Sequence, residues 1–332
     1  MTDLAATLPV PRPVVLVTGA AGFIGSRTTA LLGEAGFQIV AVDDLSVGLP
    51  LPAASDWLTP VEADIRDRAT MAALFVEHRP IALVHLAAVH HIPTCERRPE
   101  LAMDVNVMGT QSLLDAAEAS GTRAVVFASS GAVYDWTEGP LVEDVAPLRP
   151  HDVYSITKLS NEFQLAVWAK RTGAKVGVAR LFNTIGSNDP NGHLIPEILD
   201  QIGTGTETAT VRLGNTAPRR DYIYVEDVAA ALVAILGGVA DGLAFEVFNV
   251  CTGEELSVAD LVALIGDIVG VEVAIEVDPA RVRKVDRVQQ LGDPGKMRER
   301  FGWTAAWTAR EALERIVTDT RSPEAADLVR AA

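Results

Sequence analysis

Residues Val14 to Asp44 read VVLVTGAAGFIGSRTTALLGEAGFQIVAVDD, and no other stretch limits the fold so tightly. A Val/Leu run leads into Thr18-Gly19-Ala20-Ala21-Gly22-Phe23-Ile24-Gly25. A helical pattern follows, and a second apolar run closes on Asp43 and Asp44. One glycine of such a turn permits the tight bend, and another lets backbone approach a pyrophosphate. A third lets the helix pack on the strand, so that its first N–H groups and positive dipole end face the phosphates. A glycine triplet alone is weak evidence. Strand, turn, helix and second strand together point to a dinucleotide site around Gly19, Gly22, Phe23, Ile24 and Gly25. The second strand is predicted over Phe37–Val42, which puts Asp43 beside the adenosine ribose. A carboxylate there accepts hydrogen bonds from both ribose hydroxyls and repels a 2′-phosphate, favouring NAD over NADP. Asp44 and Ser46 are further candidates for adenosine contacts.

The following chain keeps alternating. Strands are predicted at Trp57–Glu62, Ile81–Leu86, Ala124–Ala128 and Val176–Leu181, with helical patterns between them. That alternation predicts an α/β fold of the Rossmann type, a doubly wound parallel sheet covered on both faces. Leu86, Ala87 and Ala88 leave a strand with small side chains, so a ligand has room to cross the sheet edge. A helix is predicted over Met103–Ser120, with Gly121 as its C-terminal cap. Asn106 lies on it among apolar neighbours, either as a satisfied core amide or as a polar group aimed at the site.

After Phe182-Asn183 the alternation loosens. The reading assigns residues 1–183 to an NAD-binding domain and 184–332 mainly to a smaller α/β substrate domain. The 220–250 segment is expected to return to the first domain. A strand-like piece at Val211–Gly214, a helix from Val228 and a last helix over Thr308–Arg321 complete the sequence-based outline.

The 332 residues carry 28 basic and 44 acidic side chains, a formal charge of −16. Such a surface repels nucleic acid and anionic membranes, so a phosphate-bearing partner must be held by local donors. Arg219, Arg220, Arg281, Arg283, Lys284 and Arg287 stand out as those donors, with surface solubility as the plainer role. With only Cys95 and Cys251, no disulfide framework is expected, in keeping with a reducing, cytoplasmic setting. The first dozen residues lack a secretory pattern and read as an irregular lead, and no apolar run reaches membrane-spanning length. His90 and His91 are loop neighbours without metal-ligand spacing to Cys95, so no metal is expected.

The chemical centre is expected on the helix after Asp152, its candidate N-cap. Tyr154 and Lys158 are four residues apart and share one helix face. A phenol with an ordinary pKa of about 10 is a poor base at neutral pH. A neighbouring ammonium and a positive nicotinamide ring would stabilise its anion. Lys158 also suits the nicotinamide ribose, and Ser130 suits the substrate oxygen that exchanges the proton.

These motifs resemble the extended short-chain dehydrogenase/reductase family. The resemblance rests on the TGxxGxxG turn, Asp43, Asp64-Ile65, His85-Leu86-Ala87-Ala88 and Asn106-Val-Met-Gly109-Thr110. It continues through Ser130, Tyr154-x-x-x-Lys158 and Arg220-Asp-Tyr-Ile-Tyr-Val-Glu-Asp227, nearly the whole chain. Within the family the chain is most similar to nucleotide-sugar 4-epimerases of the UDP-glucose 4-epimerase type.

The resemblance implies a retained NAD, with Asp64 and Ile65 at adenine and Asn106 among the cofactor residues. It implies that Tyr154 takes the proton of the sugar C4 hydroxyl, that Ser130 orients the C4 oxygen and that Lys158 lowers the Tyr154 pKa. Asn183, Arg220 and Arg283 would hold the diphosphate, the region near Leu213 would cover the base, and His193 joins the substrate residues. Relatives commonly form homodimers through the helices that carry Asn106 and Tyr154.

Sugar 4,6-dehydratases keep an acidic pair directly after the serine, where this chain has Gly131-Ala132. That departure favours epimerisation at C4 of UDP-glucose/galactose, UDP-glucuronate or a similar sugar. A 4-ketoreductase or 4,6-dehydratase remains the alternative. A binding protein without chemistry fits poorly with an intact tyrosine and lysine.

Overall fold

The computed structural model describes residues 12–187, 189, 194–282 and 286–320. The N-terminal lead before Arg12, together with His193, Arg283 and Lys284, lies outside the described residues. Apolar runs of the first half enter one sheet. They are β1 (Val14–Thr18), β2 (Gln38–Asp43), β3 (Leu58–Glu62), β4 (Ala82–His85), β5 (Ala124–Ser130) and β6 (Lys175–Leu181). A seventh strand, β7 (Phe245–Val250), joins the edge beside β6. The order is β7-β6-β5-β4-β1-β2-β3 and every pairing is parallel. The chain therefore reverses its direction of winding between β1 and β4, which is where open α/β sheets leave a crevice for ligands.

Both faces of the sheet are covered, so its strands read as continuous apolar runs rather than alternating ones. On one face Val15, Val17, Ile39 and Ala41 pack with Val228, Leu232 and Ile235 of the Val225–Ala240 helix. On the other, Leu16, Val40 and Val42 pack with Met71, Phe75, Leu113, Leu165 and Trp168. A third cluster gathers Ile195, Ile198, Val211, Leu213, Leu261 and Ile316 from elements after β6. There Thr208–Leu213 pairs in parallel with Glu272–Val277, and Asn183–Ile185 pairs with Tyr222–Tyr224.

Two predicted helices are refined. The Val225–Ala240 helix starts three residues earlier than the Val228 expected, with Tyr224 at its N-cap position and the acidic Glu226 and Asp227 in its first turn. The predicted Met103–Ser120 helix is divided. A π-helical turn, Asp104–Gly109, separates Pro99–Met103 from Thr110–Ser120. Such turns carry one extra residue and are common at functional sites. Tertiary bonds meet at its Asn106. Asn106 turns its amide inward to Val89 and Thr157, and its own carbonyl accepts from Thr110 and Asn161.

A buried polar chain ties the strand ends together. Ser129 donates to Glu162, and Glu162 pairs with Arg180 at 2.6 Å. The Arg180 guanidinium lies 4.7 Å from the Tyr134 ring centroid, and the Tyr134 hydroxyl donates to Asn249. Both members of the ion pair are nearly fully enclosed, so removing one leaves an uncompensated charge. Glu162→Gln is expected to cost about 3–5 kcal/mol in urea unfolding. Glu118→Gln, which breaks the exposed Arg171–Glu118 pair, is expected to cost about 1 kcal/mol or less.

Candidate active site

The glycine turn is built by close approach. Gly19 has a positive φ of 71°, and a Cβ on it would lie 2.6 Å from the Ala87 nitrogen. A Cβ on Gly25 would collide with the Gly19 carbonyl. Between them the helix Phe23–Glu34 begins at Gly22, with no side chain capping its first turn and no acidic residue in that turn. The first backbone donors of this helix therefore have neither an intrahelical acceptor nor a side-chain one, which suits a pyrophosphate. Phe23 and Ile24 carry two of those donors.

Asp43 stands at the C-terminal end of β2, mostly buried. One carboxylate oxygen accepts from the Ala21 nitrogen at 3.0 Å and the other from Leu45 at 2.9 Å. Burial raises its pKa, and these backbone donors oppose the rise. The carboxylate thus locks the glycine turn to the strand end while each oxygen keeps a lone pair for another donor. Asp44 is exposed and bonds Ser46. Asp64 is gripped by Arg66, and Ile65 packs against Gly109. Leu86, Ala87 and Ala88 are partly exposed as the chain leaves β4. Asn106 is fully buried, and its amide serves Val89 and Thr157, so it holds the strand exit rather than opening onto the crevice. Of the two readings open from sequence, the satisfied core amide is the one observed.

Opposite this turn stands the helix Val153–Thr172. Asp152 caps it through a reciprocal box with Ser155. Ser130 ends β5, its hydroxyl accepting from Ala132 at 3.1 Å and lying within hydrogen-bonding reach of the Tyr154 phenol. Lys158 Nζ donates to the Ala128 carbonyl at 2.8 Å and lies 5.8 Å from the Tyr154 ring centroid. Burial pushes the Lys158 ammonium down to about 7. Burial also raises the Tyr154 phenol above its ordinary range, opposed by Ser130. Burial thus disfavours the charged form of both side chains, and the expectation that Lys158 and a bound nicotinamide ring together stabilise the Tyr154 anion concerns the NAD-filled crevice.

A cavity of about 560 Å³ opens beside the C-terminal end of β6, between the elements of the third core cluster. Asn183, Leu213, Arg220 and Arg281 line it, together with Glu197 and Asp286. Arg220 bonds Asp286 at 3.1 Å, and Arg281 pairs with Glu197. Among the described residues of the basic set selected from sequence, Arg220 and Arg281 thus line the cavity. Arg219 instead turns to Glu255 and Asp260. Arg287 is buried and donates to the carbonyls of Gly131, Asp135 and Gln289, so it braces the loop after Ser130.

Asp286 and Glu197 were not singled out from sequence, since an acid in an acidic chain carries no signal. Asp221 was also missed. It is fully buried and accepts from Thr252 and Gly253, and its carbonyl accepts from Asn183. Among the described residues no group of three or more His, Cys, Asp or Glu side chains could hold a metal ion. No helix among them is long and apolar enough to cross a membrane.

Sheet, glycine turn and Tyr–Lys helix define a dinucleotide-dependent enzyme of the Rossmann class. Residues 15–251 match the NAD dependent epimerase/dehydratase family, and the chain belongs to that family. Its cofactor is NAD. A GDP-6-deoxy-D-mannose reductase of Pseudomonas aeruginosa is 30% identical over 93% of this chain and 97% of its own. A UDP-glucose 4-epimerase of Streptomyces lividans is 32% identical over 87% of this chain and 90% of its own. The solved structure of a Thermus thermophilus UDP-glucose 4-epimerase in complex with NAD superposes with a TM-score of 0.82 at 28% identity. It covers 93% of this chain and 99% of that one.

The buried Lys158 has a measurable cost. From about pH 7 up to its ordinary value of 10.5, the unfolded chain holds a proton that the folded one lacks, so stability rises with pH across that window. Below about pH 7 the penalty is fully present. Lys158→Met is expected to raise Tm by several degrees at pH 6.5, with the gain vanishing towards pH 10.5. Turnover is expected to fall about a hundredfold or more. Parallel thermal melts of both proteins across this range check the sign.

Proposed function

We propose that this enzyme epimerises a nucleotide-diphosphate sugar at C4 through a transient 4-keto sugar. The observation that carries this reading is a Ser130/Tyr154/Lys158 set followed directly by Gly131 and Ala132. Neither residue carries an acid or base for removing water, which argues against a 4,6-dehydratase.

When bound, NAD supplies a hydride acceptor whose reduced form returns the hydride. Tyr154 takes the proton of the C4 hydroxyl and later gives it back. Ser130 hydrogen-bonds the C4 oxygen in both directions of transfer. Lys158 supplies positive charge behind the phenol and reaches towards the nicotinamide ribose. Gly19, Gly22, Phe23, Ile24 and Gly25 take the pyrophosphate. Asp43 and Asp44 take the adenosine ribose, Asp64 and Ile65 the adenine, and Leu86, Ala87 and Ala88 the wall of the crevice. Asn183 and Arg220 hold the substrate diphosphate, with Arg283 and His193 added from the resemblance, and Leu213 covers the base. The UDP-glucose named for the epimerase relatives, and the UDP-glucuronic acid bound in the solved structure of MoeE5, support UDP-glucose/galactose or UDP-glucuronate as substrates.

The chain divides in this reading into an NAD-binding part, 1–183 with 220–250, and a substrate part made of the rest. Ile156, Phe163 and Val167 form an exposed apolar stripe on the Tyr154 helix, which supports a homodimer through that helix. Two reduced, buried cysteines accord with a cytoplasmic location.

A second reading is favoured by one comparison. The reductase of P. aeruginosa supports net reduction of a 4-keto sugar, in which the same Tyr154 delivers a proton once. Incubation with UDP-glucose, UDP-glucuronate and GDP-sugars, with products resolved by epimer and NADH followed by absorbance, separates the two. Epimers without net NADH change are expected. Stoichiometric NADH consumption with a 4-keto sugar would establish the reductase. Tyr154→Phe is expected to lower turnover by about 10²–10⁴-fold with the fold unchanged, and undiminished turnover would remove the phenol from the mechanism.

A further inference from the structure

His85 ends β4 fully buried, between the glycine turn and the π-helical turn. Its Nδ1 is 2.7 Å from Thr18 Oγ1 and its Nε2 is 2.9 Å from Thr110 Oγ1. The direction of each bond follows from the protons available. Thr110 donates its only hydroxyl proton to the Asn106 carbonyl at 2.5 Å. It can therefore only accept from His85, so Nε2 carries the ring proton. Thr18 accepts from the Ala87 N–H at 3.4 Å, which leaves its hydroxyl proton for Nδ1. The opposite tautomer would set a lone pair of Nε2 against one of Thr110. An imidazolium would set two donors between Nδ1 and Thr18, in a site without water-accessible surface on Thr18. Burial and the nearby Lys158 also push the imidazole down to about 3, in accord with the neutral ring that the bonding pattern requires.

We propose that His85, held as the neutral Nε2–H tautomer, is a positioning residue of the NAD site, passing a one-directional hydrogen-bond chain from Ala87 through Thr18 and Thr110 to Asn106. The two ends of that chain are the parts of the crevice that must keep register. Thr18 immediately precedes Gly19, whose Cα faces the Ala87 backbone. Asn106 holds both backbone groups of Val89 and, through Thr157, the carbonyl of Tyr154. His85 thus links the phosphate turn, the Leu86–Val89 strand exit and the base of the Tyr154 helix. Its role concerns cofactor binding and is independent of which sugar reaction the enzyme performs.

The test compares His85→Gln and His85→Phe with the unaltered enzyme. A glutamine amide offers one acceptor and one donor side by side, as this tautomer does, whereas phenylalanine fills space and offers neither. The dissociation constant for NAD, measured by calorimetry on folded protein, is expected to rise about tenfold in His85→Phe and to stay within about threefold in His85→Gln. A part that only fills the core would lower Tm in His85→Phe without changing the affinity of the folded fraction, and that result would overturn the proposal. Nitrogen-15 NMR of the unaltered enzyme gives a second reading that does not depend on the variants folding. A protonated Nε2 and bare Nδ1, unchanged from pH 5 to 9, are expected. A protonated Nδ1 would overturn the assignment.

Discussion

The structure depends on the contact between the backbone of Gly19 and that of Ala87. Two strand exits, from β1 and β4, meet there with no side chain between them. A methyl group at Gly19 would require both a backbone it cannot comfortably adopt and space already taken. This contact brings the uncapped helix end, the Asp43 carboxylate and the Tyr154 helix to one crevice at the switch of the sheet. Ser130, Tyr154 and Lys158, the proposed catalytic residues, come from β5 and the Val153–Thr172 helix, yet their usefulness depends on the turn they face.

Much of the fold could be read from the chain because fully buried parallel strands leave unbroken apolar runs, and here those runs alternate with helices. The predicted strands of the main sheet differ from those observed by one or two residues at their ends, as at β5, which continues to Ser130, whereas the piece expected at Val211–Gly214 begins three residues earlier, at Thr208. Asp152, Gly121 and the glycine turn were legible because caps and tight turns demand particular residue types. The π-helical turn was not. Asp104–Gly109 holds weak helix formers, but these do not specify a π-helical turn, at which Asn106 makes its tertiary bonds. The buried chain through Glu162 and Arg180 left one faint sign, an arginine inside the apolar run of β6. The cavity acids Glu197 and Asp286 left none, since their meaning depends on which arginines stand opposite.

Tyr154 and Lys158 show why spacing alone overstates chemistry. Four residues along a helix place the pair on one face, and burial then acts on both in the direction that disfavours charge. In the proposed reaction, the charge that a nicotinamide ring brings into the crevice would oppose that effect at Tyr154. Such strain against the resting fold is common where function and stability compete.

The strand β7 has a consequence for how the protein is made. It fills the sheet edge beside β6 only after an intervening chain that contributes Ile195, Ile198, Val211 and Leu213 to the third core cluster. Until Phe245–Val250 emerges from the ribosome, β6 presents an open row of backbone donors and acceptors. The cofactor-binding sheet therefore remains unfinished through most of synthesis, with a sticky margin that a nascent neighbour can pair with.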